Sequence, residues 1–357
     1  MAPINVGIIG AGGIAREHAI GWRDNAPRGQ IVAFADVTPE RSQFLNDNYV
    51  GGKAKLYGSY EELLADPNVN AVDICLPHHL HTDAIIASAK AGKAILCEKP
   101  LTTTLEDAAK IDAVLRETGV TFMMGHNQLF QPTLIEARRI LSTGILGRPY
   151  YIRSIEVFQH RGFTAPTAPH LKAGESPFAW RADPRKMGGG EVLDTGWHAS
   201  YRLLALANER PVSVTAMTER FFVPNIPSED TGVLLVRFES GAIGEIVTSW
   251  AFSTVNAWHF EISGELGAIA GGKSRLSHQL HGWAEPAVQE NVPVHTFTAE
   301  ITHFLDVLLA GVECRSPFAQ AARVLQLTKG AYAAASQRTV IDLPENPVEP
   351  GVPSSVM

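Results

Sequence analysis

Residues 4–15 read INVGIIGAGGIA, and the stretch contains Gly10-x-Gly12-x-x-Ala15 between an apolar run and a helical pattern that continues to Trp22. Gly10 suits a tight turn, and Gly12 lets the backbone approach an anionic group such as a pyrophosphate. A small residue at Ala15 lets helix and strand pack closely, with phosphates on the helix N-terminus. A second apolar run, Ile31–Asp36, ends in a carboxylate about twenty residues later, where a ribose would be held. A merely tight strand-to-helix turn is the plain alternative, and the strand-turn-helix context with Asp36 argues against it. Asp36 should accept from adenosine ribose hydroxyls and repel a 2′-phosphate, so NAD is favoured over NADP. Arg41 is the residue on which NADP use would turn, though an exposed helix position explains it better.

Working outward, Val6–Gly10, Ile31–Asp36, Ala71–Leu76, Ala94–Cys97 and Val120–Gly125 read as buried strands. Helical patterns separate them at Ile14–Trp22, Glu40–Asn48, Tyr60–Ala65, Thr82–Ala91 and Glu106–Glu117. Ser59 with Glu62 forms a start signal for the third helix, and Gly92 and Gly119 are stop signals for the last two. Near-continuous apolar strands spaced by helices predict a doubly wound parallel sheet of Rossmann type, covered on both faces.

After residue 126 the grammar changes. Tyr150–Phe158, Pro211–Phe222, Thr231–Phe238, Ile243–Phe252 and Trp258–Ser263 read as strands, several joined by tight turns such as Glu239-Ser240-Gly241. Helices are expected at Pro132–Ser142, Glu191–Ala207, Thr298–Ala310 and Pro317–Ser336. The expectation is an N-terminal Rossmann domain over 1–126 and a C-terminal α/β domain over 127–343, built on a large, mostly antiparallel open sheet. A proline-rich tail over 344–357 completes the chain.

Composition sets the limits. The 357 residues are 45% hydrophobic and 19% charged, ordinary values for a globular chain, and the formal charge of −7 includes no basic run. Nucleic acid and anionic membrane are therefore poor partners. No apolar stretch reaches the ~18 residues needed to span a bilayer, and the first residues lack a basic leader. Three cysteines without a CxxC pair indicate neither a disulfide framework nor a cysteine zinc site. A cytoplasmic, metal-free protein is the expectation.

Residues 94–103, AILCEKPLTT, end a buried strand in Glu98-Lys99-Pro100. At the carboxyl end of the fifth strand, near the crevice where doubly wound sheets bind ligands, Lys99 would face a nicotinamide and its substrate. A surface lysine at a capped strand end is the bland alternative. Residues 187–204, MGGGEVLDTGWHASYRLL, lead three glycines into a helix with Asp194 and His198 spaced i, i+4, hence on one face. A histidine so held can exchange a proton near neutral pH, although a structural role explains it as often. His78, His79 and His81 cluster after the fourth strand. His81 suits packing or capping, and one of the other two suits contact with cofactor or substrate.

GxGxxA with Asp36, PHHLH ahead of a helix, AGKAILCEKP and WRADPRKMGGGEVLDTGWH together resemble the Gfo/Idh/MocA oxidoreductases, the glucose-fructose-oxidoreductase-like and inositol-dehydrogenase-like enzymes. The resemblance covers nearly the whole chain. It implies hydride exchange between NAD(P) and a secondary hydroxyl of a sugar, sugar acid or cyclitol, in a homodimer or homotetramer. It also implies that Lys99, His198 and Asp194 are catalytic. In this reading His198 takes the hydroxyl proton, Lys99 stabilises the developing alkoxide, and Asp194 orients one of the two.

The cofactor site would comprise Gly10, Gly12, Gly13, Ile14, Asp36, Leu76, Pro77, His79, Glu98, Lys99, Asn127 and Arg181. The substrate would meet Lys99, His160, Trp180, Asp194, Trp197, His198 and Tyr201. Two positions depart from the family pattern. Gln128-Leu129 stand where relatives often carry a basic residue, and Tyr201 stands where an acidic one is common. Both bear on substrate identity. Rival readings are a closed-cycle enzyme that uses bound NAD transiently and a sugar sensor that has lost its chemistry; the retained Lys99, Asp194 and His198 argue against the sensor.

Overall fold

The computed structural model describes residues 3–159, 179–223, 226–255 and 258–349. The chain divides into two compact units. Unit 1 comprises Met1–Asn127, the described part of 163–188, and His295–Ala321; unit 2 comprises the remainder. Residues 179–188 and 295–321 thus join the first unit, although sequence reasoning placed them in the second domain. The reason is packing. The helix Thr296–Ala310 lies against the first helix, Ala15–Asp24, where Trp22 meets Phe304 edge-on at 6.3 Å and Asn25 Nδ2 donates to the Thr298 carbonyl at 3.1 Å.

Six strands form the sheet of unit 1: β1 (Ile4–Ile9), β2 (Gly29–Ala35), β3 (Lys55–Tyr57), β4 (Ala71–Ile74), β5 (Ala94–Glu98) and β6 (Phe122–Gly125). All neighbours are parallel, in the order β3-β2-β1-β4-β5-β6. This order reverses between β1 and β4, which is the crevice position for a dinucleotide. Val6, Ile8, Val72, Ile74, Ile95 and Leu96 are inaccessible to solvent, as strands covered by helices on both faces must be. The short strand β3 escapes sequence reading because three residues, two of them exposed, carry no periodic signal.

Unit 2 is built on nine strands in the order β14-β13-β12-β11-β7-β10-β9-β8-β15. Their spans are β7 (Pro149–Val157), β8 (Pro211–Glu219), β9 (Thr231–Phe238), β10 (Ile243–Ser249), β11 (Phe260–Gly264), β12 (Gly267–Gly271), β13 (Arg275–Leu280), β14 (Ala287–Glu290) and β15 (Ile341–Asp342). Among the described strands of this sheet only the β7–β10 pair is parallel. β9 shows the alternation of a half-buried strand, with Leu234, Val236 and Phe238 inward and Val233, Leu235 and Arg237 outward. β8 stops at Glu219, three residues before the expected Phe222, because the Asp230 carboxylate accepts the N–H groups of Phe221, Phe222 and Val223. β12 to β15 were not anticipated.

The start of the proline-rich tail is tied down: Arg323 Nη1 and Gln326 Nε2 each donate to the Pro344 carbonyl at 3.0 Å. Among the described residues, no helix is long and apolar enough to cross a membrane.

Candidate functional site

In unit 1 the glycine turn follows β1 directly. Gly10 adopts φ +92°, and a Cβ there would lie 2.7 Å from the Cys75 carbonyl oxygen, so the fold itself demands glycine. Gly12 and Gly13 are different. Neither has a positive φ, and a Cβ on either would meet nothing within 4 Å. Among the described residues their bareness serves no contact, and it leaves a surface that a pyrophosphate can approach. The following helix also begins at Ile14 without a side-chain cap, so its first N–H groups remain available to an anion.

The Asp36 carboxylate stands at this turn, accepting from the Ala11 N–H at 2.7 Å and the Thr38 N–H at 2.8 Å. It therefore shapes the turn as well as carrying the charge expected to face a ribose. These residues fit a dinucleotide with an unphosphorylated adenosine ribose.

Leu76 and Pro77 follow β4 and lead into the short turn His78–Leu80. His81 is buried, its ring nitrogens 2.7 and 2.8 Å from the carbonyl oxygens of Pro100 and Leu76. It thus ties the end of β4 to the Lys99-Pro100 turn, whose peptide bond is cis. The His78 ring packs edge-on to Trp180 at 4.5 Å, and its Nδ1 lies 3.1 Å from the Met187 carbonyl. Arg181 stacks over the Trp180 ring at 4.4 Å. Burial, then the Lys186 charge, pulls His79 below the ordinary histidine range. Asn127 donates to Thr296 Oγ1 at 3.0 Å.

Lys99 is half-buried at the carboxyl end of β5, and its N–H lies 3.2 Å from Glu98 Oε2. Behind it runs a network that sequence reasoning missed. His18 is wholly buried, with Nδ1 2.8 Å from Asp73 and Nε2 3.0 Å from Glu98, and Trp22 Nε1 donates to Asp73 at 2.7 Å. Burial opposes a charge on His18, but the Asp73 carboxylate more than offsets it and holds the imidazole well above its usual range. Glu300, also wholly buried, offers an oxygen within 4.8 Å of His18 and Glu98 donor atoms. Burial drives its carboxyl well above the carboxylate range. Nothing local announced this cluster, because the partners of His18 lie 55 and 80 residues away.

In unit 2 the expected single helix Glu191–Ala207 is two, Glu191–Asp194 and Gly196–Ala207, joined at Thr195. The turn tightens there, and His198 N–H donates to the Thr195 carbonyl three residues back. Asp194 and His198 therefore do not share one uninterrupted helical face. His198 Nδ1 instead lies 2.7 Å from Tyr201 Oη, and that oxygen accepts the Gln128 N–H at 3.2 Å. Asp194, Trp197 and Tyr201 are buried, and His198 is partly exposed. The two departures from the family pattern, Gln128 and Tyr201, are thus in direct contact. His160 lies outside the described residues.

Of the three glycines before this helix, Gly188 ends the helix Pro184–Met187 at φ +80°, and the other two have a steric cause. Tyr332 Oη accepts the N–H groups of Gly190 and Leu193 at 3.0 and 3.2 Å and donates to Glu229 Oε1 at 2.7 Å. Glu229 Oε1 also accepts from Gly190 and Val192, both at 3.1 Å. A Cβ at Gly189 would lie 2.4 Å from Tyr332 Oη, and one at Gly190 would lie 2.1 Å from the Glu229 carbonyl oxygen. These two positions are bare because two side chains from distant elements cap the helix there. Burial pushes the Glu229 carboxyl up to about 7. Arg202, with no exposed surface, donates to Ser154 Oγ, Gln128 Oε1, Glu156 Oε2 and the Ile155 carbonyl, fastening the helix to β7.

Residues 4–126 match an oxidoreductase family with an NAD-binding Rossmann fold, and residues 134–270 match the GFO/IDH/MocA C-terminal domain. The chain is also 33% identical to a 1,5-anhydro-D-fructose reductase of Ensifer adhaerens over 74% of each sequence. It belongs to the Gfo/Idh/MocA oxidoreductases. Two solved structures illustrate the common fold. An aldose-aldose oxidoreductase from Caulobacter crescentus superposes with a TM-score of 0.80 at 25% identity, covering 96% of this chain and all of the other. A levoglucosan dehydrogenase in complex with NADH and levoglucosan gives 0.85 at 21% identity, covering 96% of this chain and 100% of the other. The Gfo/Idh/MocA chain described above is accordingly an oxidoreductase with an NAD-binding Rossmann domain.

Proposed function

We propose that this Gfo/Idh/MocA enzyme oxidises or forms a secondary hydroxyl on a sugar, sugar acid or cyclitol with NAD. The observation that carries the reading is the bare Gly12-Gly13 surface beside the Asp36 carboxylate, in a sheet whose switch point and Lys99 lie at strand carboxyl ends. Likeness to an anhydrofructose reductase and to inositol dehydrogenases supports the substrate class. When bound, NAD supplies the acceptor for the hydride.

The remaining chemistry belongs to the chain. Lys99, cationic, stabilises the negative charge that develops on the substrate oxygen. His198 takes that oxygen's proton during oxidation and returns it during reduction. Asp194 orients one of the two, Arg181 and His79 contribute to cofactor contact, and Trp180 to substrate contact. We further propose that copies associate through the outward face of the nine-stranded sheet. There Met217 is 83% exposed, and Val233, Leu235 and Ile243 stand on adjacent strands.

Reduced-nicotinamide absorbance, followed with NAD or NADP against a panel of sugars, sugar acids and inositols, tests the reading. Signal with NAD that falls roughly 10²–10⁴-fold in Lys99→Met and His198→Asn is the expected result. Undiminished turnover in both variants would overturn the assignment. The likeness to an aldose-aldose oxidoreductase favours one second reading, in which bound NAD is used transiently. Substrate consumption without NADH release would decide for it.

A further inference from the structure

Tyr201 was expected to line the substrate pocket. The structure gives it another partner. Its ring is wholly buried and its hydroxyl lies 2.7 Å from His198 Nδ1, one turn back along the same helix. The rings stand at 74° to each other with centroids 5.4 Å apart, so the hydroxyl meets the imidazole through its nitrogen and not its face. The phenol oxygen is itself fixed by the Gln128 N–H at 3.2 Å. The adjacent Arg202 holds the Gln128 side chain at 2.6 Å and Glu156 at 3.0 Å. His198 Nδ1 is thus held by a hydroxyl whose own position is set by backbone and by a buried guanidinium.

We propose that Tyr201 is a positioning residue for His198, setting the direction of its ring and the nitrogen that exchanges the substrate proton. The inference deepens the proposed function and rests on His198 being the acid/base group.

The physical argument concerns what a hydroxyl can do that a carboxylate cannot. An ionised carboxylate at Nδ1 only accepts; it requires N–H at that nitrogen and favours the imidazolium. A phenol can donate to Nδ1 or accept from it. With O–H donated to Nδ1, the resting neutral ring carries its proton on Nε2 and keeps its orientation. With Nδ1–H donated to the phenol, Nε2 is free to accept a hydroxyl proton. The imidazolium so formed keeps Nδ1–H on the phenol oxygen and returns the Nε2 proton to a carbonyl oxygen in reduction, so the ring holds one orientation in either direction without a buried negative charge beside its base. Gln128 and Tyr201, the two departures in sequence, are then parts of one device.

Tyr201→Phe keeps the ring and removes the hydroxyl. An orienting role predicts a kcat lower by about 10- to 100-fold, substrate KM and NAD affinity within about twofold, and an increased solvent deuterium isotope effect as proton transfer becomes limiting. The His198 ring 15N resonances, assigned by their loss in His198→Asn, should shift at Nδ1 in the Tyr201→Phe protein. Unchanged kcat, isotope effect and Nδ1 resonance would overturn the proposal. So would a rise in KM alone, which is the outcome for a direct substrate contact. Full activity in His198→Asn would instead sink the acid/base reading on which the proposal stands. Should the phenylalanine variant not fold, 3-fluorotyrosine at position 201, which retains ring and hydroxyl but alters its acidity, carries the same readouts. An unmoved kcat and Nδ1 resonance there would equally overturn it.

Discussion

Single residues in the glycine turn divide by what they serve. Gly10 answers to the backbone, with a positive φ and the Cys75 carbonyl pressed against it, whereas Gly12 answers to nothing inside the chain. Gly12→Ala should therefore melt within a degree or two of the wild type yet bind NAD about tenfold or more weakly, as a methyl group enters the space a pyrophosphate needs. Gly10→Ala should lose stability outright, about 1–3 kcal/mol from strain at a positive φ and crowding. Thermal melts paired with NAD titration separate the two. Normal NAD affinity in Gly12→Ala would remove the strongest support for the cradle. These roles were legible early because a turn and its ligand surface are local in sequence. His18 was not legible: its chemistry comes from Asp73 and Glu98, which only the sheet brings to it.

Elements carry the next set of expectations. The first helix is joined to β4 and β5 by the imidazole of His18 between two buried carboxylates. Replacing it by Leu leaves both acids without their cation, and breaking a buried ion group in this way costs about 3–5 kcal/mol. A urea melt of His18→Leu that shifts by less than 1 kcal/mol would show that those acids are already protonated. The capped start of the Glu191–Asp194 helix offers a gentler probe. Tyr332→Phe strands the Leu193 N–H, leaves the Gly190 N–H to Glu229 alone and removes the hydroxyl that donates to Glu229, and it should cost about 1–3 kcal/mol. Sequence pattern found this helix but ran it through Thr195, because helical periodicity does not record a tightened turn.

At the scale of the whole molecule, pH should act on stability from several buried groups at once. Glu229 has its folded carboxyl raised from 4.5 to about 7, so the folded state binds more protons between those values. Its stabilising contribution is complete below the unfolded value and disappears as pH rises through about 7. The difference between the two protonation forms is about 3 kcal/mol. His18, Glu191 and Glu300 are also raised, which extends the loss to higher pH. Asp183 and Asp230 are lowered and act oppositely, losing their contribution as pH falls through their depressed folded values. The melting temperature should thus decline from about pH 6 upward, and Glu229→Gln, which keeps the accepting oxygen without the charge, should flatten that decline. An identical slope in the variant would exclude Glu229 as its source. The association proposed above belongs to this scale too. Leu235→Lys on the outward sheet face should shift sedimentation toward the single chain, and an unchanged assembly would direct attention to another surface.

From the sequence alone came the parallel sheet, its glycine turn, Asp36, the position of Lys99 at a strand end and the family to which these belong. Each is a short-range pattern, readable because alternation, turn residues and caps act within a few positions. The tertiary structure decided the rest. It made one compact unit from residues 1–127 and 295–321, fixed His18 between two acids, explained Gly189 and Gly190 by a tyrosine and a glutamate far along the chain, and gave Tyr201 to His198. Those relations depend on which surfaces meet when the apolar faces are buried, and buried polar groups find partners wherever packing brings them.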